Sequence, residues 1–319
     1  MHVIRSEYAT PNHVLVHVSD PHFVEEGLLY GELDPQAGLV EVLSSIEASG
    51  LHPEAIIFSG DLTDKGTVEA YRRLRTTCEA YAERMGAQLI WAMGNHDQRA
   101  NFRRTLLDEE PRMLPVDRSY HLGGLRVLVL DSSIPGHHHG EITDEQLRWL
   151  AGELATRADD GTLLVIHHPP VPPVQELAVL SELRNQEHLA QVLEGSDVIG
   201  ILSGHTHHTV FSTFANIPVA VASSTSYNQD LALPSGAVQG LAGARSFNLV
   251  RIHNRTFVSA VVPVGEYPRM NSYITAEETR RRLEAASISI PPAAEIVPPA
   301  VGGIAPAAET AGGAPTAPR

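Results

Sequence analysis

The sequence predicts an α/β fold in which a largely parallel sheet gives way to antiparallel strands. Three observations predict it: short β-branched runs recur, segments of helical spacing separate most of them, and that rhythm stops near residue 210. Strands alternating with helices imply βαβ units. Strands that follow one another with no long helix between them imply antiparallel pairing in a second sheet.

The first runs are V-L-V-H-V (14–18), A-I-I-F (55–58) and Q-L-I-W-A (88–92). Between the second and third, Thr67 to Met85 has helical spacing, with Tyr71, Leu74, Cys78 and Tyr81 on one face. R-V-L-V-L (126–130), T-L-L-V-I (162–166) and V-I-G-I-L (198–202) continue the series. Thr143 to Leu154 is a second helix, with Ile142, Leu147, Leu150 and Leu154 as its apolar stripe and Thr143 as N-cap. P-V-A-V-A (218–222), S-F-N-L-V-R-I (246–252) and T-F-V-S-A-V-V (256–262) then supply the antiparallel strands. From about Ile290 the chain is Pro, Ala and Gly with almost no large apolar side chains. Such a segment buries too little surface to offset its ordering entropy, which predicts a folded domain over 1–288 and a disordered tail over 289–319.

The chain has 319 residues, 43% hydrophobic and 19% charged, enough for a well-buried core. Its formal net charge of −15 argues against a protein that coats nucleic acid, because a diffuse negative field repels phosphate backbones. A small anionic substrate stays compatible, since a metal ion reverses the field locally. One cysteine, Cys78, allows no internal disulfide and fits a reducing compartment; its helical surroundings predict a packed thiol. No run approaches the ~18 apolar residues of a transmembrane helix, and the N-terminal stretch lacks the apolar region of a secretory signal. The expectation is a cytoplasmic protein, with peripheral membrane association through the tail left open.

The informative residues follow the C-terminal ends of the strands, where open α/β sheets place ligands. The first strand is followed by S-D-P-H (Asp20, His22), the second by S-G-D-L-T-D (Asp61, Asp64) and the third by G-N-H-D (Asn95, His96, Asp97). The fourth gives D-S-S (Asp131), the fifth H-H-P-P (His167, His168) and the sixth S-G-H-T-H-H (His205, His207, His208). Of 17 histidines, ten lie in five loops: these, with His137 to His139. Converging imidazoles and carboxylates without cysteine indicate a borderline metal such as Zn²⁺, Mn²⁺ or Fe, and so many ligands point to two ions. Taken singly, each piece has a bland reading: D-P-H as a turn, G-D-L as a helix cap, H-H-P-P as a proline-held loop. Their succession after strand upon strand, on one edge of one sheet, is what singles them out.

At these residues the sequence resembles the calcineurin-like metallophosphoesterases, with their ordered blocks D-x-H, G-D-x-x, G-N-H-D/E, H and G-H-x-H. The matching stretches are Asp20-Pro21-His22, Gly60-Asp61, Gly94 to Asp97, His167 and Gly204 to His207, and the resemblance spans roughly residues 14 to 265. G-D-L-T-D-K-G, P-G-H-H-H-G-E-I, H-H-P-P and Y-N-Q-D-L narrow it to bacterial class III cyclic-nucleotide phosphodiesterases of the mycobacterial type. The resemblance implies a four-layer α/β sandwich of two mixed β-sheets flanked by helices. It implies that Asp20, His22, Asp61 and His207 hold one ion, and that Asp61 bridges to a second completed by Asn95, His167 and His205. Iron and manganese are the implied pair, with zinc or another divalent ion as alternatives, and a homodimer is the implied assembly.

Two divalent ions bring four positive charges; Asp20, Asp61 and a bridging hydroxide remove three, leaving about +1 for a phosphodiester monoanion. The expected nucleophile is that hydroxide, attacking phosphorus opposite the leaving oxygen. His96, which the pattern leaves off the metals, is expected at the leaving oxygen as acid or hydrogen-bond donor. Asp97 is expected to orient His96 and Asp64 a ligating histidine, unless both simply cap helices. The His137–His139 tract reads either as a solvated run or as a loop that brings His138 to the substrate phosphate, with Asn95, His96 and His207 also touching substrate. The expected reaction opens 3′,5′-cAMP, cGMP or 2′,3′-cyclic nucleotides to nucleoside monophosphates. The alternatives are another small phosphate ester, such as a glycerophosphodiester or nucleotide-linked lipid, and a non-catalytic scaffold of the same fold. No nucleic-acid polymer is expected as partner, for want of a basic stripe.

Overall fold

The computed structural model describes residues 3–293. β1 (Ile4–Arg5) is followed by β2 (His13–Val18). α1 (Pro35–Ala48) starts on Asp34, whose side chain accepts from the Gln36 and Ala37 amides, and buries Leu39, Val42, Leu43 and Ile46. β3 (Ala55–Phe58) precedes α2 (Val68–Met85), which Thr67 caps and left-handed Gly86 ends. Of the expected stripe, Tyr71, Leu74 and Cys78 are fully buried and Tyr81 partly buried, and burial pushes the Cys78 thiol pKa well up. β4 (Gln88–Trp91), α3 (Arg99–Leu106) and the hairpin of β5 (Arg118–Leu122) with β6 (Leu125–Leu130) come next. α4 (Asp144–Leu154) opens with a capping box between Thr143 and Gln146. β7 (Gly161–Ile166), α5 (Gln186–Leu193) and β8 (Val198–Ser203) close the alternating part.

β9 (Val210–Phe214) and β10 (Ile217–Val221) form a hairpin through Ala215 and Asn216, both at positive φ as a type I′ turn requires. The short pair β11 (Asn228–Gln229) and β12 (Gly240–Leu241) leads to the long pair β13 (Ser246–His253) and β14 (Thr256–Pro263). α6 (Ala276–Ala285) and β15 (Ile288–Ser289) end the described chain.

Two large sheets result, ordered β14-β13-β2-β3-β4 and β5-β6-β7-β8-β10-β9. In the first, β2, β3 and β4 are parallel while β13 and β14 are antiparallel additions. In the second, β6, β7, β8 and β10 are parallel between antiparallel edges β5 and β9. Three apolar clusters fill the spaces between four layers. One joins α1 and α2 to the first sheet, through Leu43, Tyr71 and Phe58. A second joins α4 and α5 to the other sheet, through Leu150, Leu189 and Leu164. The third lies between the sheets, where Ile57 and Ile90 face the side of Val127 and Val165. This is the four-layer sandwich of mixed sheets.

Three expectations are corrected. The six motif-bearing strands do not share one sheet: β2, β3 and β4 lie in one, β6, β7 and β8 in the other. The chain changes sheet between Trp91 and Leu125, where α3 and the edge strand β5 intervene before β6 starts a new parallel set. The 218–222 run, expected among the antiparallel strands, is β10 and lies parallel to β8, because β9 turns the chain back at the edge. Residues 289–293 also belong with the folded body. Ser289 pairs with Arg5 in β15, and the Thr10 amide donates to the Pro291 carbonyl at 3.0 Å. The rest of the expected tail lies outside the described residues.

Candidate metal centre

The C-terminal ends of β2, β3 and β4 meet those of β7 and β8 from the facing sheet, so the motif loops converge across the sandwich. Three overlapping sets of side chains have donor atoms within 4.8 Å of one another: Asp20, His22 and His207; Asp20, Asp61 and His167; His22, Asp61 and His96. A fourth set is His167, His168 and His205. The Nε2 atoms of His22 and His207 stand 3.1 Å apart, and Nδ1 of His205 is 3.2 Å from Nε2 of His167. Asp61 Oδ2 lies 3.6 Å from His22 Nε2 and 3.4 Å from His167 Nε2, between the two histidine groups. Asn95 sits beside them, with a buried Oδ1 that has no hydrogen-bond partner.

The backbone is bent to deliver these groups. Asp20, His22, Asp61, His205 and His207, five of the seven expected ligands, have φ between 46° and 73°. Left-handed backbone is uncommon outside glycine and collects at functional sites, where the surrounding fold holds it. The motif glycines allow close approach. A Cβ on Gly94 would lie 2.2 Å from Asp61 Oδ1, and one on Gly204 1.8 Å from Ser19 Oγ and 2.5 Å from Asp20 Oδ2.

Three of the four expected histidine ligands are held by their outer nitrogen, while Nδ1 of the buried His22 has no hydrogen-bond partner. Nδ1 of His167 donates to the Ser59 carbonyl (2.8 Å), Nδ1 of His207 to the Tyr227 carbonyl (2.8 Å) and Nε2 of His205 to the Ser181 carbonyl (2.9 Å). In the neutral ring the inner nitrogen then carries a lone pair, and these lone pairs face one another and two carboxylates. That donor set suits a borderline divalent cation, and the outer hydrogen bonds fix the tautomer as such sites require. The unpartnered Asn95 oxygen supplies a neutral oxygen donor at the same place.

The electrostatics agree. Burial alone would raise Asp61, but His167, His96 and His22 around it hold its carboxyl well below the usual range. Burial would lower His167, yet Asp61 and Asp20 outweigh it and raise its pKa to about 9. His205 lacks such close carboxylates, and burial with its neighbour His167 pushes it down to about 3. The centre therefore draws positive charge towards Asp61 and keeps a neutral imidazole ready at its rim.

Around this core the other expected residues find their places. Asp64 Oδ1 lies 3.7 Å from Nδ1 of both His22 and His96. His96 donates its Nδ1 proton to the Asp64 carbonyl at 2.9 Å. The expectation that Asp97 orients His96 is corrected: its carboxylate accepts from the amides of Leu62 (3.0 Å), Thr63 (3.2 Å) and Gly94 (2.9 Å) and from the Tyr71 hydroxyl (2.9 Å). Asp97 so locks the Gly94 turn onto the Asp61 loop, and burial pushes its own pKa up to about 6. His138 reaches over the site, its Nδ1 accepting from Asn95 Nδ2 at 3.3 Å.

Sequence reasoning missed what holds that loop. His168 donates to the His138 carbonyl (3.0 Å) while its Nδ1 accepts from Ser132 Oγ (2.8 Å). Arg99 clamps the buried Asp131, which is not a member of the metal-binding groups. Only the doubled histidine of H-H-P-P gave a sign of the first; nothing local announces the second.

The chain also resembles known proteins. The family model described as calcineurin-like phosphoesterase matches residues 13–209. A probable cyclic nucleotide phosphodiesterase of Rhodococcus erythropolis is 53% identical over 290 residues, covering 91% of this chain and 96% of that protein. A cAMP/cGMP dual specificity phosphodiesterase of Mycobacterium tuberculosis is 48% identical, covering 92% of each chain. A dimetal phosphatase from Danio rerio shares the fold, with a TM-score of 0.52 at 14% identity, over 79% of this chain and 99% of that one.

Proposed function

The chain belongs to the calcineurin-like phosphoesterase family, and from that premise we propose that it opens cyclic nucleotides, 3′,5′-cAMP and cGMP and also 2′,3′-cyclic nucleotides, to nucleoside monophosphates. The observation that carries this reading is the convergence of Asp20, His22, Asp61, His167 and His207 within a few ångströms, together with the cyclic-nucleotide phosphodiesterase names of relatives 48–53% identical over most of the chain.

In this reading Asp20, His22, Asp61 and His207 hold one ion, and Asp61, Asn95, His167 and His205 hold the other. Iron and manganese are the proposed pair, with zinc or another divalent ion as alternatives. Such a pair, when bound, polarises the phosphoryl oxygens and lowers the pKa of a shared water. The chain's own residues do the rest. His96, its Nδ1 proton engaged by the Asp64 carbonyl, presents Nε2 to the departing ribose oxygen and hands it a proton. His138, placed by Asn95 and His168, contacts the phosphate oxygens, and Asn95 and His207 border the same group. Asp64 keeps the rings of His22 and His96 in register, and Asp97 keeps the turn that carries Asn95 and His96 against Asp61. The catalytic domain extends past the expected boundary at 288 to take in 289–293, and it acts as a cytoplasmic homodimer. Among the described residues, no helix is long and apolar enough to cross a membrane.

Purified protein loaded with Mn²⁺ and assayed on 3′,5′-cAMP, 2′,3′-cAMP, a glycerophosphodiester and a phosphomonoester tests the proposal. Ring opening of the cyclic substrates is expected. Cleavage of the other esters with every cyclic nucleotide untouched would reject it.

A further inference from the structure

A cavity of about 540 Å³ opens beside the ligand cluster, within the size range of small-molecule sites. Asp64 and Lys65 line it together with the acidic Glu25 and Glu26 and the apolar or aromatic Phe23, Leu28 and Tyr30. Leu28 is 49% exposed and Tyr30 61%, an apolar shelf turned to solvent. The shelf is built, not loose: Arg73 donates to the carbonyls of Val24 (2.8 Å) and Glu25 (3.1 Å). Tyr30 donates to Asp64 Oδ1 at 3.4 Å and meets the ring of Tyr227 edge-on at 5.8 Å. Tyr227 in turn lies 4.3 Å from the ring of His207, so a line of aromatic rings runs from the metal ligands to the cavity wall.

Lys65 is the only lysine in the chain. It is exposed, and it lines both this cavity and a second one of about 250 Å³ in front of Asn95 and His96. The other cation in the two linings, Arg99, is committed to Asp131. In a chain of net charge −15, Lys65 thus places an ammonium group where the two cavities adjoin, beside the Asp64 carboxylate with which it interacts electrostatically.

We propose that the larger cavity is the subsite for the nucleoside of the diester. The base lies against Leu28 and Tyr30, and Lys65 pairs with an oxygen of the phosphoryl group where the two cavities meet. The subsite rests on the phosphodiesterase reading of the metal centre, and it names which end of the substrate this chain recognises.

Calorimetric titration of the metal-loaded protein with AMP and, separately, with inorganic phosphate tests it. Phosphate reaches the metal ligands and Lys65 alone; AMP also fills the cavity. AMP is expected to bind at least about tenfold tighter than phosphate, about the worth of one buried apolar contact. Leu28→Asn is expected to weaken AMP by about tenfold and leave phosphate unchanged. Lys65→Met should weaken both ligands by about threefold or more. AMP binding no tighter than phosphate, equal weakening of both by Leu28→Asn, or unchanged binding in Lys65→Met overturns the proposal. A protein that shows the expected pattern but opens no cyclic nucleotide keeps the subsite and loses the proposed reaction. One that opens them without preferring AMP to phosphate does the reverse.

Discussion

Arg99 donates its Nε–H to a carboxylate oxygen of Asp131 at 2.8 Å, with the side chains 10% and 0% exposed. Arg99 is the first residue of the helix that follows G-N-H-D-Q, while Asp131 directly follows the strand before the His138 loop. The same guanidinium donates to the Ser133 carbonyl at 2.7 Å. This pair therefore fastens the turn that carries Asn95 and His96 in one sheet to the loop that carries His138 in the other.

Removing one partner leaves a buried charge alone. Arg99→Met should cost about 3–5 kcal/mol of stability in urea unfolding, and Arg99→Met with Asp131→Asn distinctly less. Equal losses in the single and double variants would show that the cost comes from packing instead of the stranded carboxylate.

Neighbouring residues of one turn should fail in different ways. Asn95→Ala is expected to lose the second ion, whereas His96→Ala should keep both ions and lower kcat by roughly 10²–10⁴-fold. Metal analysis beside steady-state rates separates them. If His96→Ala emptied a metal site, the role given to His96 as proton donor would have to be withdrawn.

A methyl group at Gly94 would stand 2.2 Å from Asp61 Oδ1 and 2.3 Å from the Asp61 amide. Gly94→Ala is expected to displace the Asp61 carboxylate and reduce bound metal, even where the circular dichroism spectrum is unchanged. Full metal content in that variant would contradict the close approach.

The buried His17 predicts a pH dependence of stability. Its Nδ1 accepts from Asn248 Nδ2 (3.2 Å) and its Nε2–H donates to Ser59 Oγ (2.9 Å), and burial pushes its pKa from 6.5 down to about 3. Below pH 6.5 the unfolded chain takes up a proton that the folded chain refuses. Stability therefore falls as pH drops from 6.5 towards 3, by about 1.4 kcal/mol per pH unit for this one group. His17→Gln should show a slope in metal-free unfolding shallower by about one proton. An unaltered slope would mean that His17 titrates normally in the folded state.

How much of this was legible in the sequence follows from the range of each interaction. Helix α2 could be read because Thr67, Tyr71, Leu74 and Cys78 repeat at helical spacing, and the ligands because D-P-H, G-N-H-D and G-H-T-H end apolar runs. The division into two sheets could not. Ile56 and Leu128 sit in equally apolar runs, and only the pairing of β3 with β2 and β4, or of β6 with β5 and β7, decides which sheet each joins. Helix α1 has a readable stripe in Leu39, Val42, Leu43 and Ile46, with Pro35 at its start, whereas α3 is short and rich in arginine. The hydrogen bonds of Asp97 are hidden in the sequence because its partners Tyr71 and Leu62 come from segments 26 and 35 residues away, a proximity no local pattern encodes.

The central claim is that seven side chains assemble two ions for hydrolysis of a cyclic diester. Metal content measured alongside 3′,5′-cAMP hydrolysis during stepwise Mn²⁺ loading of the metal-free protein tests it most directly. Binding is expected to saturate at two ions per chain, with activity that rises with the second ion and loss of both in Asp61→Asn. Full activity at one ion per chain, or two bound ions with no diester opened, would contradict it.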